Sequence, residues 1–375
     1  MKIAMIFPYA PVYRGPIYEL MDKELDIDWY FCGNAQRPLR LYDYTRLKKV
    51  GLSLKEKTLL GSIVYFEGIK KLNLDEYDAI IVPSVIRNLS MWWLMKKYAG
   101  GKRGPKLYYW THGWYGREGC FSSIIKDIFY KPVDGFFLYN TRAKELMLKR
   151  GYESAKLHVI YNSLDYDCQL PLRKSMKASG LYHEHFGNDN PNIVFIGRLT
   201  KIKRFDLLVD AVFDLKNRGK LVNVTFIGDG AERKWIESRI IGLAIQNQVW
   251  FYGECYNEKT NAEMIYNADI CVSPGNVGLT AMHVLMFGCP VITNDDYEHQ
   301  GPEFEAIEEG KSGTFFKAGD SQSLADTISR WLTEHKKDRE QVRQACYKVI
   351  DEVWNPHNQL KVLKEALSKI EYASK

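Results

Sequence analysis

Four cations crowd seven residues of this chain: Arg198, Lys201, Lys203 and Arg204. Before them, Ile193–Ile196 is apolar and β-branched, bounded by Pro191 and Gly197, and reads as a buried strand. After them, Phe205, Leu208, Val209 and Val212 recur at helical spacing, with Asp206, Asp210 and Asp214 elsewhere on the surface. A basic loop between the carboxyl end of a strand and the amino end of a helix makes an anion site. Helix amides and the macrodipole favour negative charge there, and a guanidinium holds two oxygens at once. A solvated basic loop is the plainer reading. Three further loops favour the anion site. Gly228-Asp229-Gly230 follows the apolar run VNVTFI. Tyr252-Gly253-Glu254-Cys255-Tyr256 follows another. Ser273–Leu279, containing Gly275, Asn276, Val277 and Gly278, opens the helix LTAMHVLMF, which Gly288 and Pro290 close. All four loops are expected to surround one pocket that cradles a diphosphate.

The elements that must position these loops alternate along both halves. Expected strands in the first half are Lys2–Phe7, Ile27–Cys32, Tyr77–Val82, Lys106–Thr111, Gly135–Tyr139 and Leu157–Tyr161. Helices lie between them, such as Thr141–Arg150 with Thr141 as N-cap and Gly151 as stop. Residues 34–72 are cationic and read as a mobile helical excursion. The second half repeats the pattern with strands Ile193–Ile196, Asn223–Ile227, Val249–Tyr252, Ile270–Ser273 and Val291–Thr293. Such alternation implies an α/β protein with parallel, doubly wound sheets. The expected domains are 1–178 and 193–355, both Rossmann-like and facing a cleft. Ser179–Asn192 would be a linker, and 356–375 a helix packing back on the first domain.

The whole chain of 375 residues carries a net charge of +6, 46% hydrophobic and 26% charged residues. Those proportions are ordinary for a soluble globular protein, and the length favours two domains. The charge is unevenly spread. Residues 1–180 carry 29 Lys and Arg against 18 Asp and Glu, whereas 181–375 carry 23 against 28. A basic front half suggests an anionic partner. No nucleic-acid module signature is present, so an anionic membrane surface is favoured. Asn88–Lys106 supports it, with Trp92 and Trp93 followed by Lys96, Lys97, Lys102, Arg103 and Lys106. A core-packed helix followed by a solvated basic turn is the alternative. The seven cysteines include no CxxC pair, which argues for reduced thiols in a cytosol. MKIAMIFPYAP is too short an apolar run for a signal peptide and reads as a first strand, and no run approaches a membrane span.

In order and spacing, several pieces resemble the retaining glycosyltransferases of the GT-B fold, family 4 (glycosyl transferases group 1). They are GRLTKIKRFDLLVDA, FIGDG, VWFYGE, NADICVSP, GLTAMHVLMFGCPVI and EEGKSGTFFKAGDSQSLADTI, with WTHG and LHVIYNSLD in the first half. The resemblance implies a hexosyltransferase that takes a nucleotide-diphosphate sugar as co-substrate, with no cofactor and no required metal. Arg198 and Lys203 would grip the diphosphate and stabilise the leaving nucleotide. His112 would contact the transferred sugar. Donor contacts would come from Gly197, Gly228, Tyr252, Gly253, Glu254, Cys255, Gly275, Asn276, Val277, Gly278, Leu279 and His283. The acceptor, a saccharide or lipid-linked saccharide, would meet Arg14, Gly15, Gly113 and Trp114. The implied setting is surface polysaccharide synthesis at the cytoplasmic face of the plasma membrane.

The chain departs from that family where two glutamates eight positions apart are usual. Gly275 and His283 stand there instead. Gly275 offers no carboxylate; His283 can still form a hydrogen bond to a ribose, or be a core histidine satisfied by a backbone carbonyl. The first domain has only Gly15 where a paired-glycine loop is common, with Arg14 beside it. Asp165-Tyr166-Asp167 reads as structural, and His183-Glu184-His185 as solvated linker rather than a metal site. Two rival functions remain open at this point: a sugar-nucleotide 2-epimerase of the same architecture, and a non-catalytic scaffold subunit.

Overall fold

The structure is a computed structural model and describes residues 1–34, 40–101 and 104–373, with side chains to Lys369. The chain forms two compact units. One is Met1–Asp165 with Asn355–Lys375, and the other is Tyr166–Trp354.

The first unit is built on an eight-stranded sheet. Its elements are β1 (Lys2–Phe7), α1 (Gly15–Glu24), β2 (Asp26–Cys32), β3 (Val50–Leu60), β4 (Ile63–Glu67), β5 (Ala79–Pro83), α2 (Leu89–Tyr98), β6 (Lys106–Thr111), α3 (Cys120–Tyr130), β7 (Gly135–Leu138), α4 (Thr141–Lys149) and β8 (Leu157–Val159). The strand order is β4-β3-β2-β1-β5-β6-β7-β8. All neighbours are parallel except the β3–β4 hairpin. The central strands are buried on both faces, so they read as unbroken apolar runs. The C-terminal helix Pro356–Ala373 supplies Leu360, Leu363, Ala366 and Leu367 to the core on the β1 side.

Residues 50–67 are strand, not the helical excursion expected for 34–72; residues 35–39 lie outside the described ones. The run is polar and cationic, so period 2 and period 3.6 cannot be told apart in β3, where Leu54 alone is buried. The Gly61 turn and the β-branched and aromatic run Ile63–Phe66 decide the outcome by pairing back on β3. The N-cap of α4 is Asn140, whose side chain accepts from the Ala143 amide, rather than Thr141.

The second unit carries α5 (Tyr166–Ser175), α6 (Leu181–Phe186), β9 (Asn192–Ile196), α7 (Phe205–Asn217), β10 (Asn223–Ile227), α8 (Arg233–Gly242), β11 (Val249–Gly253), α9 (Glu258–Asn267), β12 (Ile270–Ser273), α10 (Thr280–Met286), β13 (Val291–Asn294), β14 (Gly313–Phe316), α11 (Ser321–Glu334) and α12 (Arg339–Glu352). Its six parallel strands run β11-β10-β9-β12-β13-β14. That is the doubly wound nucleotide-binding order, with its switch point between β9 and β12.

The expected linker 179–192 belongs instead to this unit, and the chain passes between units at Asp165 and again at Trp354. Polar composition hid α6, which is anchored by buried Tyr182 donating to the Met264 carbonyl at 2.8 Å. His185 stacks on Trp250 at 3.7 Å and His183 bonds Asp189, and His183, Glu184 and His185 all stay exposed to solvent.

Candidate active site

The loops after β9, β10 and β11 are joined backbone to backbone. Gly197 N–H donates to Ile227 O at 2.9 Å, Leu199 N–H to Asp229 O at 2.9 Å and Gly228 N–H to Gly253 O at 2.7 Å. A Cβ on Gly228 would lie 2.0 Å from the Gly197 oxygen, so a side chain there would force the loops apart.

Across the switch point the β12 loop joins the same assembly. Gly275 N–H donates to Lys203 O at 2.9 Å and Asn276 N–H to Ile202 O at 3.1 Å. The Lys203 ammonium donates to Asn276 O at 2.6 Å and Val277 O at 3.1 Å. Burial lowers its pKa to about 8; Cys271 and Glu303 oppose the shift, and Arg198 adds to it. A Cβ on Gly275 would stand 2.0 Å from the Ile202 oxygen. No carboxylate-bearing side chain fits that position in this conformation.

The four cations therefore differ. Arg198 and Lys201 are exposed and form no hydrogen bond or ion pair among the described residues. Lys203 clamps the β12 loop, and Arg204 is tied to Asp206 at 2.7 Å. Next to them, the Gly278 and Leu279 amides have no hydrogen-bond partner among the described residues, and Thr280 Oγ1 donates to Ile196 O at 2.9 Å. A guanidinium, an ammonium and free amides meet at the carboxyl ends of parallel strands, as oxyanion binding requires.

Several residues that hold this site are not evident from sequence. Asn294 Nδ2 donates to Pro274 O and Gly275 O at 2.7 and 2.9 Å. Gln300 accepts from the Val277 amide at 2.8 Å and donates to Gly275 O at 3.1 Å. Thr293 donates to Ser273 O at 2.8 Å. Glu303 is buried beside Gly301, and its charge reaches Lys203. The polar run NDDYEHQGPE after a buried strand was the available signal.

The β11 loop is open: Tyr252, Glu254 and Tyr256 are exposed, and Cys255 is half-buried. His283 turns away from the carbonyl partner expected of a core histidine. Its Nε2 lies 2.9 Å from Glu258 Oε1, which also accepts from Gln169 at 2.7 Å. Burial would raise the Glu258 pKa, but His283, Gln169 and Asn261 outweigh it and hold it low.

In the first unit, a cavity of about 550 Å³ lies at the β1/β5 switch point. The loops after β1, β5 and β6 line it with Arg14, Arg87 and His112, and Lys126 reaches it from α3. His112 is accessible at its mouth and lies 4.6 Å from the Tyr139 ring, centre to centre. Surrounding protein, then Arg14 and Lys126, lower its pKa to about 4, so the ring is neutral at pH 7. The Arg14 guanidinium donates to the phenol oxygens of Tyr139 and Tyr18 and lies over Trp110. Gly15 opens α1 against the Tyr42 ring, and Gly113 takes a left-handed turn against Ala143 and Met147.

Trp114 is 4% exposed, with Arg150 and Lys126 over its ring at 3.9 and 4.6 Å. It has no face to offer a sugar, contrary to the expected acceptor contact; half-buried Tyr9, Tyr13 and Tyr115 line the cavity instead. Glu118 pairs with Lys126 at 2.7 Å and accepts the Tyr115 and Gly116 amides, a structural role.

A second groove, about 660 Å³, lies at the amino ends of β9, β10 and β12, away from the cation loop. Ligands of doubly wound sheets bind at the opposite ends, so the site is placed on the loops. Among the described residues, no cluster of three His, Cys, Asp or Glu is placed to hold a metal ion, and no helix is long and apolar enough to cross a membrane. Trp92 and Trp93 pack against the core of the first unit, with Trp92 donating to Ile86 O at 2.8 Å. The packed-helix alternative therefore holds for α2; Lys102 and Arg103 lie outside the described residues.

Two doubly wound units of this topology make up the GT-B fold. Residues 183–349, most of the second unit, match the family model of glycosyl transferases group 1. It is 25% identical over 246 residues to the putative glycosyltransferase EpsD of Bacillus subtilis, covering 61% of this chain and 61% of EpsD. The chain thus spans about three-fifths of that relative's length. Anabaena Alr3699/HepE, solved in complex with UDP, superposes with a TM-score of 0.71 at 17% identity, covering 98% of this chain and all of HepE. The lipopolysaccharide outer core galactosyltransferase WaaB, in its apo form, gives 0.69 at 16% identity, over 98% of this chain and 99% of WaaB. At these identities the two structures establish the fold.

Proposed function

We propose that this chain transfers a hexose-type sugar from a nucleotide-diphosphate sugar to a lipid-linked saccharide, with retention at the anomeric carbon. On this reading it works in surface polysaccharide synthesis, at the cytoplasmic face of the membrane. UDP in HepE supports a nucleotide donor, and the name of WaaB supports the pathway.

The observation that carries the donor site is the meeting of the Arg198–Lys203 loop with the Gly275–Leu279 loop through the Lys203 ammonium. Arg198, Lys203 and the Gly278 and Leu279 amides hold the diphosphate. The Tyr252–Tyr256 loop holds the base, and His283 faces the ribose. The bond from the anomeric carbon to the diphosphate oxygen breaks as the acceptor hydroxyl bonds on the same face. The hydroxyl proton passes to a donor phosphate oxygen, and the nucleoside diphosphate leaves with its charge balanced by the two cations. No metal ion is needed to balance it.

The cavity of the first unit takes the acceptor, with neutral His112 giving or accepting a hydrogen bond at the transferred sugar. Its lining carries Arg14, Arg87 and Lys126 but no carboxylate, and Arg14 is held only by neutral phenols. That favours an acceptor bearing phosphate. Calorimetry with UDP, GDP and dTDP, followed by transfer assays with and without EDTA, tests the reading. Binding of one diphosphate and EDTA-insensitive transfer is expected; failure to bind any would leave a scaffold, and a 2-epimerised sugar without acceptor would reassign the chemistry.

A further inference from the structure

Helix α3 is apolar on two faces. One face is ordinary core: Phe129 is fully buried and packs on Trp92 and Tyr109 at 4.8 and 4.9 Å between ring centres. On the opposite face Phe121, Ile124 and Ile128 are 77%, 59% and 56% exposed. Their spacing of three and four residues puts them in one stripe along the helix. A monomer gains nothing from such a stripe in water.

The charge around the stripe is positive. Arg117 precedes the helix and Lys131 closes it, both exposed. Lys126 and Arg150 are neutralised by Glu118 and Asp127 at 2.7 and 2.6 Å, so the unpaired charge beside the stripe is that of Arg117 and Lys131. Three exposed side chains present on the order of 300–400 Å². That is about half of the ~800 Å² per partner that a stable protein interface needs. It suits a helix lying flat in the headgroup region, apolar residues inward and cations on lipid phosphates. The same helix carries Lys126 into the wall of the cavity at the β1/β5 switch point.

We propose that α3 docks the first unit on an anionic lipid surface through Phe121, Ile124 and Ile128, bringing that cavity to the source of a lipid-carried acceptor. This deepens the function proposed above, but its test reads lipid binding rather than transfer, so the two can fail separately.

The test is co-sedimentation of the full chain with phosphatidylcholine vesicles, with and without phosphatidylglycerol. The parent should bind the anionic vesicles and release them as salt is raised. The combined Phe121→Ser, Ile124→Ser and Ile128→Ser variant should keep its melting temperature and lose at least about tenfold in affinity. In a second variant, Phe121→Trp, the introduced indole should be quenched by brominated lipid beyond the parent's own tryptophans, which tests insertion even if the triple variant misfolds. A parent that ignores vesicles, a folded triple variant that binds equally, or an introduced indole whose fluorescence brominated lipid leaves untouched would overturn the proposal. So would light scattering that shows a dimer dissolved by the triple substitution, which would assign the stripe to a second copy.

Discussion

The Lys203 ammonium donates to the carbonyl oxygen of Asn276 at 2.6 Å, tying the cationic loop after β9 to the glycine loop after β12. One side chain thus does two jobs: it sets the shape of the site and supplies part of its charge. Arg198 does only the second, since it is exposed and bonds to none of the described residues.

Their substitutions should separate on that basis. Arg198→Ala is expected to cost about 2–4 kcal/mol of transition-state stabilisation while stability stays within about 0.5 kcal/mol of the parent. Lys203→Met should lose comparable activity and also about 1–3 kcal/mol of stability, because two carbonyls lose their donor. Steady-state kinetics with urea melts checks both; an Arg198 variant with parental kcat/KM would remove the guanidinium from the chemistry.

The pH behaviour of Lys203 follows from its pKa of about 8, lowered first by burial. Below that the ammonium is charged. Between about 8 and the ordinary 10.4 of an unfolded lysine, the folded state binds fewer protons than the unfolded one, so this group's penalty to stability fades as pH rises. A bound diphosphate would favour the charged form. Nucleoside diphosphate binding near pH 8 should therefore take up protons, and affinity should weaken above it. Calorimetry in buffers of different ionisation enthalpy measures the uptake; none at pH 8 would contradict the contact.

Gly275 should tolerate nothing larger. Its missing Cβ would stand 2.0 Å from the Ile202 oxygen, so Gly275→Ala must open the joint between the two loops. A loss of about 1–3 kcal/mol and a fall in donor affinity are expected. Gly275→Glu, which supplies the carboxylate usual in the family that the sequence resembles, should be worse rather than better. An active, stable glutamate variant would show that the loop relaxes freely.

Much of this was legible in the residues, for identifiable reasons. Buried parallel strands such as Ile193–Ile196 leave an unmistakable apolar signature, and glycines such as Gly228 mark where backbones touch. Resemblance supplied the rest of the donor loops. Three features were hidden. The polar β3 run carries no decisive period. Tyr182 anchors α6 in a stretch whose composition resembles a linker. Gln300 and Asn294 act on residues 19 to 25 positions earlier, a pairing fixed by sheet order rather than local pattern. Trp114 misled for a related reason: sequence shows an aromatic but not the Arg150 that covers it.

The pair His283–Glu258 should make a small, pH-dependent contribution to stability. Burial opposes ionisation of Glu258, yet His283, Gln169 and Asn261 hold its pKa below normal. A carboxyl with a lowered folded pKa stabilises above its unfolded value of about 4.3, and that benefit is lost as pH falls through the folded value. His283→Ala should cost about 1 kcal/mol at pH 7, the pair being partly exposed, and flatten the acid limb, so that variant and parent converge in stability as pH falls. Melts from pH 3 to 7 decide it, and UDP affinity of the same variant tests its proposed place at the ribose.

His112 gives the last prediction. Crowding by protein, then the charges of Arg14 and Lys126, lower its pKa to about 4. A ring with the ordinary value of about 6.5 would be substantially charged at pH 6; this one should remain neutral there, and transfer should not decline through that range on its account. Arg14→Gln removes the stronger of the two charges, so the pKa should rise toward, but not reach, the ordinary value, since the surrounding protein remains. Histidine ring NMR across pH 3 to 8, assigned by loss of one signal in His112→Gln, follows both proteins. A midpoint near 6.5 in the parent, or no change on removing Arg14, would show that the guanidinium and the imidazole do not share the cavity as described.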